Sequence, residues 1–252
     1  MAADGALRIL LVSGSLRSGS SNAAVLRTVR ALVPDGVEAE LYERLGTLPH
    51  FNPDDDVDPL PPAVSELRAG IAAADAVLFC TPEYAGALPG SFKNLLDWTV
   101  GGGEIYGRPV AWVNASGHAA PTGGANAHDS LRIVLGYTGA DIVEGACVRI
   151  PVARAMVGAD GLIDDEGVRR GLTAAIEAIA AHVRARPTST SRSAGPGPAP
   201  VLGIRGARRS WPPLATATAD ALATLIRHDG KDMDRGGRTG RDEHNHLARR
   251  PG

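Results

Sequence analysis

The residues best suited to chemistry lie in one run, Ser13-Gly14-Ser15-Leu16-Arg17-Ser18-Gly19-Ser20-Ser21-Asn22. It follows a short apolar stretch, Ile9 to Val12, that reads as a buried strand. It precedes Ala23 to Val33, where Val25, Val29, Leu32 and Val33 recur at helical spacing. A Gly- and Ser-rich turn between strand and helix gathers backbone N–H groups, hydroxyls and the positive end of a helix dipole, a combination suited to a phosphate. Arg17 adds a guanidinium fork able to bridge phosphate oxygens.

Gly14 and Gly19 have the spacing that opens a nucleoside-triphosphate loop, but Ser20 stands where that loop needs lysine. Without it, β/γ-phosphate and magnesium chemistry has no anchor. The G-x-G-x-x-G dinucleotide pattern is also absent, because Ser13 and Ser15 flank Gly14. What remains is a hydroxyl-rich loop matched to a single terminal monophosphate, such as that of FMN.

The elements that must position this loop alternate along the chain. Strands are expected at Arg8–Ser13, Val37–Tyr42, Asp75–Cys80, Pro109–Asn114 and Asp141–Ile150, with helices at 21–33, 63–74, 91–99, 124–139 and 167–183. Strict alternation argues for βαβ units and a parallel sheet covered on both faces, an α/β doubly wound domain. Ligands of such sheets sit beyond the carboxyl ends of the strands. Three polar loops stand there, Ser13–Asn22, Thr81–Pro89 and Asn114–Gly124, while the stretch from Glu43 to Pro62 reads as a long loop.

The chain has 252 residues, enough for one substantial core, and no apolar run approaches the roughly 20 residues of a membrane span. Cys80 and Cys147 lie far apart in apolar surroundings and read as reduced core residues of a cytoplasmic protein. Residues 187–252 carry 11 Lys and Arg against 6 Asp and Glu, and residues 1–186 carry a net charge of −7, so the globular part does not resemble a nucleic-acid binder. The expected domain is residues 1–186. Residues 187–252 read as a low-complexity extension with one short helix near Ala215–Arg227.

With these loops placed, the sequence closely resembles the NADPH-dependent FMN reductase family of flavodoxin-like quinone, azo-compound and chromate reductases. The resemblance rests on Gly14–Asn22 and on Thr81-Pro82-Glu83-Tyr84, Pro89-Gly90, Lys93-Asn94 and Asp97-Trp98, with a looser match at Ser116-Gly117, Gly123-Gly124 and Leu131-Arg132. It implies a flavodoxin-like five-stranded sheet of order 2-1-3-4-5 with helices on both faces. It implies that Ser13, Ser15, Arg17, Ser20, Ser21 and Asn22 surround an FMN phosphate. Pro82, Glu83 and Tyr84 would border the ribityl chain and ring, with backbone groups of Ala85 and Gly86 at the ring edge and Ser116 and Gly117 closing the other side. Many members have asparagine after the tyrosine; this chain has Ala85. The resemblance also implies a homodimer or homotetramer, with Trp98, Trp112 and the loop from Gly101 to Tyr106 as its surface.

The expected activity is NAD(P)H-dependent reduction of quinone, flavin, azo or metal-oxyanion acceptors, with NADPH or NADH as donor, in a ping-pong cycle through FMN N5. No general acid or base is required, and neither His118 nor His50 is assigned a direct role. No metal is expected. The run Asp54-Asp55-Asp56-Val57-Asp58 reads as a solvated loop face, and Trp98 as core. Two other classes remain: an FMN-binding electron carrier of flavodoxin type, and a flavin-free scaffold whose Ser20-Ser21 bind another phosphate ester.

Overall fold

The structure is a computed structural model and describes residues 5–116 and 121–186. Gly117, His118, the 187–252 extension and the expected Ala215–Arg227 helix lie outside the described residues.

Strand β1 (Leu7–Ser13) leads into helix α1 (Ser21–Leu32), β2 (Val37–Tyr42), α2 (Pro62–Ala73), β3 (Ala76–Cys80), α3 (Gly90–Trp98), β4 (Pro109–Asn114) and α4 (Ala125–Tyr137). Two short strands, β5 (Asp141–Ile142) and β6 (Val148–Arg149), precede the last helix, α5 (Glu166–Ala185). All strand pairs are parallel, in the order β2-β1-β3-β4-β5, with β6 also on β4. This is the flavodoxin-like doubly wound α/β sheet.

Strand side chains alternate between two cores. Ile9, Leu11, Leu78 and Val113 face α1 and α5. Leu10, Val12, Val77, Phe79 and Trp112 face α2, α3 and α4. Because β3 and β4 are buried throughout, they read as continuous apolar runs, as strands covered on both faces must. No helix of the described residues is long and apolar enough to cross a membrane.

One expected element is divided. The Asp141–Ile150 stretch forms β5 and β6 with a 3₁₀ turn, Glu144–Ala146, between them. Gly145 is a poor strand residue. The turn drops Ala146 into the core, while Glu144 turns outward to pair with Arg132 at 2.9 Å. Both fragments run parallel to β4, and the turn between them shifts the register against β4 by three residues, from Val110 opposite Ile142 to Val113 opposite Val148.

The long connection from β2 to α2 is held at two points. Phe51 N–H donates to Asn94 Oδ1 at 2.7 Å, and the Pro49 carbonyl accepts from both Asn94 Nδ2 and Trp98 Nε1 at 2.9 Å. The ring of Phe51 meets Trp98 edge-on at 5.0 Å. Farther along, the buried Arg68 donates to Asp56 Oδ1 at 2.7 Å and to the Trp98 carbonyl at 2.9 Å, with Glu104 at 3.7 Å. The acidic run is therefore not simply a solvated face: Asp56 is turned inward, its side chain 11% exposed, as the partner of Arg68. Trp98 and Trp112 are fully buried and supply no association surface. Of that expected surface, Tyr106 is exposed at the end of the Gly101–Tyr106 loop.

Removing one partner from a buried ionic cluster leaves the others uncompensated, at a cost of about 3–5 kcal/mol. Arg68→Met is expected to lower the unfolding free energy by that amount in urea titrations. Arg44→Met, which breaks a half-exposed ion pair with Glu66, is expected to cost less than about 1 kcal/mol.

Candidate functional site

The carboxyl ends of β1, β3 and β4 are stitched together. Gly14 N–H donates to the Cys80 carbonyl at 2.9 Å, and Asn114 Nδ2 donates to the Thr81 carbonyl at 3.0 Å. Gly14 is tightly enclosed: a methyl group there would lie 2.7 Å from Thr81 Cβ and 2.9 Å from Phe92 Cγ. At the start of α4, Gly124 has φ +84° and a side chain on it would overlap the Asn114 carboxamide. Asn114 Oδ1 in turn accepts from Ser116 N–H at 2.9 Å. The three loops thus meet with almost no side-chain volume between them.

Within the first loop the hydroxyls fold the backbone on itself. Ser13 Oγ accepts from Ser15 N–H at 3.2 Å, Ser15 Oγ from Arg17 N–H at 3.3 Å, and Ser20 Oγ caps α1 by accepting from Ala23 N–H at 3.1 Å. Asn22 is buried, and its Oδ1 accepts from the Cys80 thiol at 3.3 Å. Burial pushes that thiol's pKa well above its usual range, so it stays protonated as a donor. The N–H groups of Gly19, Ser21 and Asn22 have no acceptor among the described residues, and Arg17 is exposed with no ion-pair partner. Open first-turn amides beside a free guanidinium form a donor set that fits a phosphate monoester.

The second loop contains a tight turn. Tyr84 N–H donates to the Ala87 carbonyl at 2.9 Å and Ala87 N–H to the Tyr84 carbonyl at 3.1 Å. Its two central residues, Ala85 and Gly86, have φ +50° and +74°, as a two-residue hairpin turn of type I′ requires. Glycine adopts that conformation freely, but alanine pays for its Cβ. Tyr84 is 72% exposed, and the half-buried Glu83 carboxylate accepts from the Thr122 hydroxyl. That bond ties the second loop to the third.

Ser13, Ser15, Arg17, Ser20, Ser21 and Asn22 therefore gather at the start of α1, while Pro82 to Gly86 and Ser116 stand on the two neighbouring loops. They do not share one enclosed cavity. The hollow at this rim, about 280 Å³, lies toward β2 and is lined by Ser13, Ser15, Leu16, Arg27, Tyr42 and Gly46, leaving Tyr84 on an open face. Tyr42 was not expected there. Its hydroxyl is buried without a hydrogen-bond partner among the described residues, and burial, then the Glu66 carboxylate, pushes its pKa up to about 12. Its place at the end of an alternating edge strand is the only sequence signal for it.

On α4, His128 packs edge-on against Trp112 at 5.7 Å. Burial, followed by the nearby Arg149 and Arg132, lowers its pKa to about 4. Among the described residues, no group of three or more His, Cys, Asp or Glu is arranged to hold a metal ion.

Residues 7–155 match the family model described as NADPH-dependent FMN reductase. An NAD(P)H-dependent FMN reductase of Pseudomonas aeruginosa is 37% identical over 180 residues, covering 71% of this chain and 96% of that protein. A 2-hydroxy-1,4-benzoquinone reductase of Burkholderia sp is 33% identical over 184 residues, covering 72% of this chain and 98% of the relative. Among solved structures, the flavoenzyme NAD(P)H:(acceptor) oxidoreductase FerB of Paracoccus denitrificans superposes with a TM-score of 0.59 at 29% identity, over 71% of this chain and 97% of that one.

Two outcomes test the local energetics. Ala85→Asn and Ala85→Gly are each expected to stabilise the protein by about 0.5–1 kcal/mol, raising the melting temperature by roughly 2 °C, because both residues tolerate the left-handed turn. For His128, the unfolded chain gains a proton near pH 6.5 and the folded chain only near 4. Stability is therefore lost as pH falls through that window. His128→Phe is expected to remove a part of that loss on the order of 1 kcal/mol, read by comparing urea unfolding at pH 7 and pH 4.5.

Proposed function

The chain belongs to the NADPH-dependent FMN reductase family, and from that premise we propose that it binds FMN at the carboxyl rim of its sheet and uses NAD(P)H to reduce quinones and related small-molecule acceptors. When bound, FMN would supply the redox chemistry, two-electron transfer from the nicotinamide coenzyme to a second substrate. The observation that carries the reading is the donor set at the start of α1, amides and an Arg17 guanidinium that have no partner among the described residues.

The protein's part is to bind and orient. Arg17 and the N–H groups of Gly19, Ser21 and Asn22 would hold the phosphate, with Ser15 and Ser21 adding hydroxyls. Ser20 keeps the first turn of α1 in helical register through its own cap, so the amides around it stay available. Asn22 acts from beneath: its bond to Cys80 anchors the loop to β3.

On the second loop the hairpin from Tyr84 to Ala87 fixes the backbone groups that would meet the ring edge, and Glu83 is held by Thr122. Tyr84, largely exposed, would flank the ring, and Ser116, oriented through Asn114, would close the opposite side. Neither a general acid nor a general base is needed on the protein. The open face beside Tyr84 suits a donor and an acceptor that visit the same place in turn.

Purified protein is expected to carry, or take up, a yellow flavin that NADPH or NADH bleaches without oxygen and that benzoquinone then restores. A protein that holds FMN yet is reduced by neither coenzyme is instead an electron carrier. Arg17→Ala is expected to weaken FMN binding about tenfold or more, as read by fluorescence titration; unchanged affinity would refute the phosphate assignment.

A further inference from the structure

We propose that Arg149 receives a phosphate of the nicotinamide coenzyme, an inference that rests on the function proposed above. β6 sets its position. Arg149 pairs with Asn114, the last residue of β4, and the register is fixed by Ile150 N–H donating to the Asn114 carbonyl at 2.9 Å. The strand fragment therefore delivers an arginine to the same rim as the three loops.

The guanidinium lies over the turn that opens α4, with Nη1 3.9 Å from where a side chain on Gly123 would begin. The neighbouring Thr122 is bonded to Glu83, and Glu83 precedes Tyr84. Arg149 thus borders the open face on the side away from Arg17, separated from Tyr84 by a short chain of contacts.

Of the two arginines that face His128, Arg132 is committed, paired with Glu144 at 2.9 Å. Arg149 is exposed and has no carboxylate partner among the described residues. It also stands close enough to His128 to help keep that ring neutral. An exposed guanidinium without an ion-pair partner among the described residues keeps its attraction for an incoming anion.

The substrate supplies that anion. A nicotinamide coenzyme carries a pyrophosphate, and NADPH a further 2′-phosphate, while residues 1–186 carry a net charge of −7. A polyanion approaching an acidic body needs a local positive site to bind productively. With Arg17 assigned to the flavin phosphate, Arg149 supplies a cation on the opposite side of the open face. As an exposed side chain, it can be replaced without loss of packing.

The test uses the full-length, FMN-loaded protein and its Arg149→Gln variant, with flavin content checked by visible spectrum. Binding of NADP⁺ and NAD⁺ is measured by titration calorimetry, and steady-state rates with benzoquinone as acceptor. Arg149→Gln is expected to raise the Kd for NADP⁺ and the KM for NADPH about tenfold, with kcat and the KM for benzoquinone within about twofold of the parent, and Arg149→Lys is expected to recover part of the loss. An effect confined to NADP⁺ and NADPH identifies the 2′-phosphate; an equal effect on both coenzymes identifies the pyrophosphate. A flavin-loaded variant with unchanged Kd and KM for both coenzymes overturns this inference alone. A parent protein that binds no flavin overturns the proposed function, and this inference with it.

Discussion

The structure depends on how closely the carboxyl ends of β1, β3 and β4 approach one another. Gly14 sits against Thr81 and Phe92, Asn114 spans to Thr81, and Gly124 makes room for Asn114. The Gly14 N–H to Cys80 carbonyl bond and the Asn114 bond to the Thr81 carbonyl are both at this junction, so little can shift there without breaking a hydrogen bond to backbone. The consequence is a rigid floor from which three loops emerge in fixed relation. Functional groups on those loops, from Ser15 to Ser116, inherit their placement from that floor. Their own interactions are mostly local caps and turns.

Much of this was legible in the sequence because it depends on local pattern. Continuous apolar runs marked β3 and β4, helical spacing marked α1 and α5, and the Ser/Gly run marked the turn from β1 into α1. The helical half of the Thr81–Trp98 block was less transparent. Asn94 and Trp98 turn out to hold Pro49 and Phe51, more than forty residues earlier in the chain. That pairing needs three-dimensional proximity, which no spacing rule supplies. The same holds for Asp56, whose acidic neighbours suggested solvent while its own carboxylate turned inward to Arg68. The break between β5 and β6 was hidden because apolar residues continue through the turn itself, where Val143 and Ala146 are buried.

Two polar networks hold the long connection after β2, and they differ in kind. The Asn94 and Trp98 bonds are neutral and directed at backbone, so each stabilises modestly and specifies a path for the chain. The Arg68 cluster is ionic and buried, so its members depend on one another: it contributes little while intact and is costly to break. Together they give a segment without regular secondary structure two fixed points, one beside α3 and one at the junction with α2. The loop therefore arrives at Gly46, where it meets Leu16 of the first loop, with little freedom left.

The margins of the sheet bear on solubility. A parallel sheet left with a long straight border offers a ladder of unsatisfied amides and carbonyls onto which a foreign strand can zip. Here one border, β2, displays Glu38 and Glu40, whose charge discourages such pairing. The opposite border never runs longer than two residues before the Glu144–Ala146 turn interrupts it. The same interruption that lets Arg149 reach the rim thus denies fibril-type growth a template on that side.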